Sequence, residues 1–103
     1  MSDDNKNLGS AQLRLLKVIE ALSGNEVFGI RLKEVAAAVK TGDPTVLRDL
    51  NTLASAGWAK QDESGRWRLD TKPVQISVNF AWGLNKAQER LTEIQQRYTR
   101  TPA

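Results

Sequence analysis

Apolar residues recur along this chain first at helical spacing, then at alternate positions, then at helical spacing again. Leu15, Leu16, Ile19 and Leu22 form a stripe that predicts a helix from Ser10, read as its cap, to about Ser23, where Gly24-Asn25 stops it. Val27-Phe28-Gly29-Ile30 is too short for a helix and rich in branched and aromatic residues, which predicts a brief strand. A second helix follows from Leu32 to Lys40, with Leu32, Val35, Ala36 and Val39 inward and small alanines at 36 to 38 that allow another helix to cross closely. Lys40-Thr41-Gly42 then reads as a short turn.

The third helix carries its own punctuation. Asp43 is read as the cap of the first turn, Pro44 as the first helical residue and Gly57 as the left-handed stop, so the helix should cover 43–56. Val46, Leu50 and Leu53 share one face, which predicts its burial. The opposite face centres on Arg48, with Pro44, Asn51, Thr52 and Ser55 around it. Small, hydrogen-bonding and basic side chains of this kind can approach a surface closely.

After Gly57 the period becomes two. Trp58–Asp62 and Arg66–Leu69 flank Glu63-Ser64-Gly65, which predicts a hairpin with Trp67 and Leu69 on the body and both Arg66 and Arg68 facing out. Pro73 ends the hairpin. From about Val74 to Tyr98 the pattern is helical again: Phe80, Leu84, Ala87, Leu91, Ile94 and Tyr98 fall at alternating steps of four and three, the seam of a coiled coil. Such a seam needs a cover, either the same helix of a second subunit or the chain's own body. Gly83 and Asn85 weaken the helix near its start and would allow a bend.

The expected fold is mainly α with a small β-hairpin: a winged helix-turn-helix over residues 10–72, followed by a long C-terminal helix over 73–99. Residues 1–9 read as a disordered arm, with Lys6 its only basic residue, and 100–103 as a disordered tail.

Composition narrows the chemistry. The 103 residues suffice for one domain plus a short appendage, and 40% hydrophobic with 26% charged is ordinary for a globular chain. There is no cysteine and no histidine, which excludes disulfides, thiolate chemistry, Cys/His zinc sites and a histidine base. The acids are scattered and no glycine loop could cradle a phosphate, so neither an enzyme nor a metal or other cofactor is expected. No apolar run approaches a membrane span, and the polar N-terminus does not read as an export signal, which leaves the cytoplasm as the expected location. A net charge of +3, from 15 Lys and Arg against 12 Asp and Glu, is compatible with a nucleic-acid partner.

On this pattern Thr45, Arg48, Asn51 and Thr52 are the candidates for base contacts in a major groove. Arg48 has the geometry for guanine and Asn51 for adenine. Arg66 and Arg68 on the hairpin, and Lys40 beside the turn, are the candidates for phosphate contacts. Phe80, Leu84, Ala87, Leu91, Ile94 and Tyr98 are the candidate interface of a homodimer whose two-fold symmetry would set the spacing of two half-sites.

Three segments resemble the N-terminal DNA-binding domain of the IclR family of bacterial transcription regulators. Gly29-Ile30-Arg31-Leu32-Lys33-Glu34-Val35-Ala36 resembles its strand leading into the second helix. Thr45-Val46-Leu47-Arg48-Asp49-Leu50-Asn51-Thr52-Leu53 resembles its recognition helix, and Ala56-Gly57-Trp58 with Gly65-Arg66-Trp67-Arg68-Leu69 its wing. The likeness covers about Ala11 to Leu84 and implies sequence-specific binding of double-stranded DNA and transcription regulation. The chain also departs from the family. Arg31 stands where a Ser or Thr usually caps the second helix, Lys40-Thr41 replaces Gly-Leu in the turn, and Asp43 and Asp49 bring negative charge to the recognition helix. The family's longer effector-binding domain has no counterpart in these 103 residues, so no small-molecule effector is expected. A compact regulator of this kind suggests a phage or other mobile element. Two alternatives stay open: a winged helix used for protein contacts, and a non-specific architectural DNA-binding protein.

Overall fold

The computed structural model describes residues 8–100, so the expected N-terminal arm, apart from residues 8 and 9, and the tail beyond residue 100 lie outside the described residues. Helices α1 (Ser10–Leu22), α2 (Leu32–Val39) and α3 (Asp43–Ser55) are followed by strands β1 (Ala59–Gln61) and β2 (Trp67–Leu69) and by the long helix α4 (Thr71–Thr99). The chain is mainly helical, with one two-stranded antiparallel sheet. Contacts divide it into two units after Lys72.

The first unit is built on a core of Val18 and Leu22 from α1, Val35 and Ala36 from α2, Val46, Leu50 and Leu53 from α3, and Ala59 and Trp67 from the hairpin. Fully burying each of the large side chains contributes roughly 1.5–3 kcal/mol, so these few residues hold the three helices and the sheet together. The stripe expected on α1 is displaced. Val18 is buried and Leu16 is 55% exposed, because Val18 and Leu22 are one turn apart and Leu16 falls outside the sector they define. Leu15 and Ile19 flank that sector and pack partly against the core.

Helix starts differ from the expected caps by one residue. Gly9 and Gly42 hold the N-cap positions of α1 and α3, so Ser10 and Asp43 are the first helical residues and neither makes a side-chain cap bond. At α2, Arg31 has no acceptor to offer, yet the Glu34 carboxylate accepts from the Arg31 backbone N–H at 3.1 Å. Half of the reciprocal box thus survives the missing Ser or Thr. At the other end of α2, Lys40 N–H donates to Ala37 O and Thr41 N–H to Ala36 O, the paired bonds of a Schellman motif. Its left-handed position is occupied by Lys40, at φ 55° and ψ 47°.

The strand expected at Val27–Ile30 contracts to one bridge. Ile30 exchanges two backbone hydrogen bonds with Trp67, at 2.9 and 2.8 Å, while residues 26–28 form a turn. Gly29, at φ +74°, brings the chain so close to the hairpin that an added Cβ would lie 2.7 Å from the Arg66 Cβ. The left-handed Gly29, with the turn before it, ends the extended run at Ile30. Val27 and Phe28 are consequently exposed, at 73% and 80%. In the hairpin Ala59 pairs with Leu69, Lys60 with Arg68 and Gln61 with Trp67.

The second unit, among the described residues, is α4 from Pro73 onward, the first two residues of the helix belonging to the first unit. The helix starts at Thr71 rather than after Pro73, with Asp70 Oδ1 accepting from Thr71 N–H at 2.7 Å. Pro73 falls in the first turn, where its missing N–H breaks no helical bond. The helix runs without interruption through Gly83 and Asn85. None of its residues is buried, and the seam side chains Phe80, Leu84 and Leu91 are 69%, 58% and 55% exposed. No helix among the described residues is long and apolar enough to cross a membrane.

Candidate nucleic-acid interface

The core face of α3 determines its solvent face. With Val46, Leu50 and Leu53 buried, Pro44, Leu47, Arg48, Asn51, Thr52 and Ser55 line one shallow surface depression on the other side. Arg48 and Asn51 are exposed, and neither side chain has a hydrogen-bond or ion-pair partner among the described residues. Thr52 is exposed too, but its hydroxyl donates back to Arg48 O at 2.9 Å, and Ser55 Oγ to Thr52 O at 2.6 Å. Those hydroxyls retain acceptor capacity and have committed their protons. Thr45 is half-buried at the edge of the face.

The negative charge at position 49 does not reach this face. Asp49 is 6% exposed and sits on the core side, gripped by Arg14 from α1 through Nε–Oδ2 at 2.6 Å and Nη2–Oδ1 at 3.0 Å. The hydrogen bond to Asp49 raises the Arg14 pKa further above its ordinary value, partly offset by burial. Periodicity carried this information: Asp49 stands three residues after Val46 and four before Leu53, on the edge of the apolar stripe, where a carboxylate needs a cation. Asp43 is half-buried, with Lys33 Nζ 3.7 Å away, an exposed pair of small energetic weight.

The two hairpin arginines have different fates. Arg66 is half-buried, and its guanidinium has no partner among the described residues. Arg68 does not stand clear of the hairpin, contrary to the expectation from alternation. Its Nη2 lies 2.5 Å from Asp62 Oδ2, and its Nη1 donates to the carbonyls of Glu26, at 2.8 Å, and Val27. Register sets Arg68 opposite Lys60, where like charges repel, while Asp62 offers it a carboxylate. Turning Arg68 onto Asp62 relieves that contact and ties the hairpin to the turn after α1. Lys60, exposed and without a partner among the described residues, is a further hairpin cation, not marked by the alternation that singled out Arg66 and Arg68.

Asp62 organises the hairpin loop. Its Oδ1 accepts from Ser64 N–H, Ser64 Oγ and Arg66 N–H at 2.9, 2.6 and 3.0 Å, and Gly65 N–H donates to Asp62 O at 3.0 Å. Hydrogen bonds from Ser64, then from Arg68, hold its carboxyl well below the ordinary aspartate range. Asp at the start of a turn, with Ser two residues on and Gly three, is the legible signal for this loop.

Lys40, at the left-handed position between α2 and α3, is exposed and unpaired. The structure therefore leaves Arg48, Asn51, Arg66, Lys60 and Lys40 available to a ligand and engages Arg68 internally. Among the described residues no group of three or more carboxylates could hold a metal ion. No protein-family model matches the chain, and a search of curated proteins returns no relative.

Proposed function

We propose that this chain is a winged helix-turn-helix protein that binds double-stranded DNA in a sequence-specific manner as a homodimer and regulates transcription, in the manner of the IclR-type DNA-binding domain its sequence resembles. In this reading α3 enters the major groove. Arg48 makes a two-pronged contact to guanine, Asn51 contacts adenine, and the part-exposed Leu47 meets a thymine methyl group. Arg66, Lys60 and Lys40 contact phosphates, and the α4 helices of two copies pair along the seam from Phe80 to Tyr98.

One observation carries it. Arg48 stands at the centre of the outward face of α3 with its guanidinium uncommitted, while the carboxylate next to it in sequence is turned inward and neutralised by Arg14. The arrangement leaves a free cation at the centre of that face with the adjacent carboxylate withdrawn from it, which suits a surface that meets a polyanion. A protein-contact role draws support from a different feature, the turn that presents Val27 and Phe28 to solvent beside an arginine already consumed by Asp62.

Titration of labelled random duplex at about 50 and about 200 mM salt separates the two. DNA binding by Arg48, Arg66, Lys60 and Lys40 predicts an affinity that falls linearly with salt on logarithmic axes. A negligible signal at the lower salt would put the protein-contact role ahead.

A further inference from the structure

We infer that α4 pairs with α4 of a second copy as a parallel, in-register two-stranded coil, and not as an antiparallel one. The inference rests on the homodimer just proposed and adds its orientation. From Phe80 on, the spacing fixes the heptad: Leu84, Leu91 and Tyr98 take one core position (a), and Phe80, Ala87 and Ile94 the other (d). The flanking positions are then unambiguous. On one side (g) stand Arg90 and Arg97, and on the other (e) Gln88 and Gln95.

In a parallel pair each g position faces the e position five residues later in the second copy, so Arg90 meets Gln95, a neutral contact to a good acceptor. An antiparallel pair sets g against g. With Phe80 opposite Tyr98, it brings Arg90 against Arg90 of the second copy, with no acid at any e or g position from 81 to 97 to offset the repulsion. Arg90 pairs with Glu93 on its own helix, 3.3 Å away and 63% exposed, an ion pair that screens little. The same arginines argue against a four-stranded bundle, which would enclose the g positions, and the small Ala87 in mid-seam favours the close approach of two helices. Leu84 and Leu91, more than half exposed in the single chain, gain cover from the pairing. In a parallel pair both N-terminal units follow from the same end, as two half-sites on one face of a duplex require.

The chain contains no cysteine, so single replacements report orientation cleanly. Tyr98→Cys should give a disulfide-linked dimer on mild oxidation, since the two positions 98 adjoin in the parallel pair and lie about 27 Å apart in the antiparallel one. A mixture of Tyr98→Cys and Phe80→Cys chains should give no excess of the mixed species. Gln95→Glu tests the same point without touching the seam. It places a carboxylate opposite Arg90 twice per dimer and should tighten dimerisation about three- to five-fold in sedimentation equilibrium, with the gain lost at high salt. A dominant mixed disulfide, an unchanged or weakened dimer in Gln95→Glu, or a wild-type mass of one or four chains would each overturn the inference. None of these readouts involves DNA, so a failure to bind duplex is registered separately.

Discussion

Arg14 of α1 and Asp49 of α3 close a two-point ion pair across the core, with contacts of 2.6 and 3.0 Å. The pair links residues 35 apart in sequence, on two helices, and leaves the Asp49 side chain only 9% exposed. Replacing Arg14 with Met strands that carboxylate in the interior. Loss of one partner from a fully enclosed pair costs ~3–5 kcal/mol, but Arg14 is 27% exposed and water can partly take its place, so a loss of about 2 kcal/mol is expected. Urea denaturation measures it. The double variant Arg14→Met, Asp49→Leu should recover most of the loss, since an apolar pair strands no charge. A cost under about 0.5 kcal/mol for Arg14→Met would show the pair to be a surface contact.

Lys40 holds a left-handed conformation that glycine adopts without steric cost. Lys40→Gly should therefore raise stability by about 1 kcal/mol, while Lys40→Ala, which keeps the Cβ, should not. The proposed phosphate contact predicts the opposite trend for DNA: both variants should bind duplex more weakly and with a shallower salt slope. Stability and affinity moving apart in Lys40→Gly would separate the two roles of this residue. Affinity unchanged in both variants would remove Lys40 from the DNA surface.

Much of this architecture was legible because local signals and burial agree. Val46, Leu50 and Leu53 recur at helical steps and are buried, and Gly57 ends α3 at φ +81° as expected. The turn through Glu63, Ser64 and Gly65 was equally readable. What escaped depends on partners distant in sequence. Alternation places Arg68 outward but gives no sign that it also reaches the carbonyls of Glu26 and Val27, 42 and 41 residues back in sequence. Leu16 and Val18 are both plausible core residues of α1, and only the position of α2 and α3 decides between them. In α4 the pattern is mixed. Val74, Ile76, Val78, Phe80, Trp82 and Leu84 alternate as in a strand, yet the stretch is helical and each of these side chains is 46–70% exposed. Alternation on a helix spreads apolar groups around its circumference, so Trp82 faces almost directly away from the seam that Phe80 and Leu84 begin.

The hairpin loop should respond to acid through Asp62. Its folded pKa is depressed, so the stabilisation it gives is complete above the unfolded value of about 3.9 and is lost as pH falls through the lower folded value. Protonation removes an acceptor from Ser64, Arg66 and Arg68 together. Amide exchange of Ser64 and Arg66 should accelerate, relative to the intrinsic rate, below about pH 4. Asp62→Asn should show weak protection at every pH and no such transition. Protection that persists unchanged down to about pH 2 in the wild type would mean that the backbone, not the carboxylate, holds the loop.

Arg48 and Arg68 offer the sharpest contrast, because both are arginines and only one has work to do inside the chain. Arg48→Ala touches no intramolecular partner and should change stability by less than about 0.5 kcal/mol, while costing about 1–3 kcal/mol on a preferred duplex and relaxing selectivity at one base pair. Arg68→Ala removes an ion pair and two carbonyl contacts at a side chain 23% exposed, so it should destabilise the fold by about 1–2 kcal/mol. Its effect on DNA should follow from the loosened hairpin and disappear when binding is compared at temperatures where both proteins are fully folded. Thermal denaturation and duplex titration on the same two variants decide the matter. If Arg68→Ala binds uniformly more weakly while remaining as stable as the wild type, then Arg68 leaves Asp62 to hold a phosphate. If Arg48→Ala binds every duplex as the wild type does, the outward face of α3 is not in the groove.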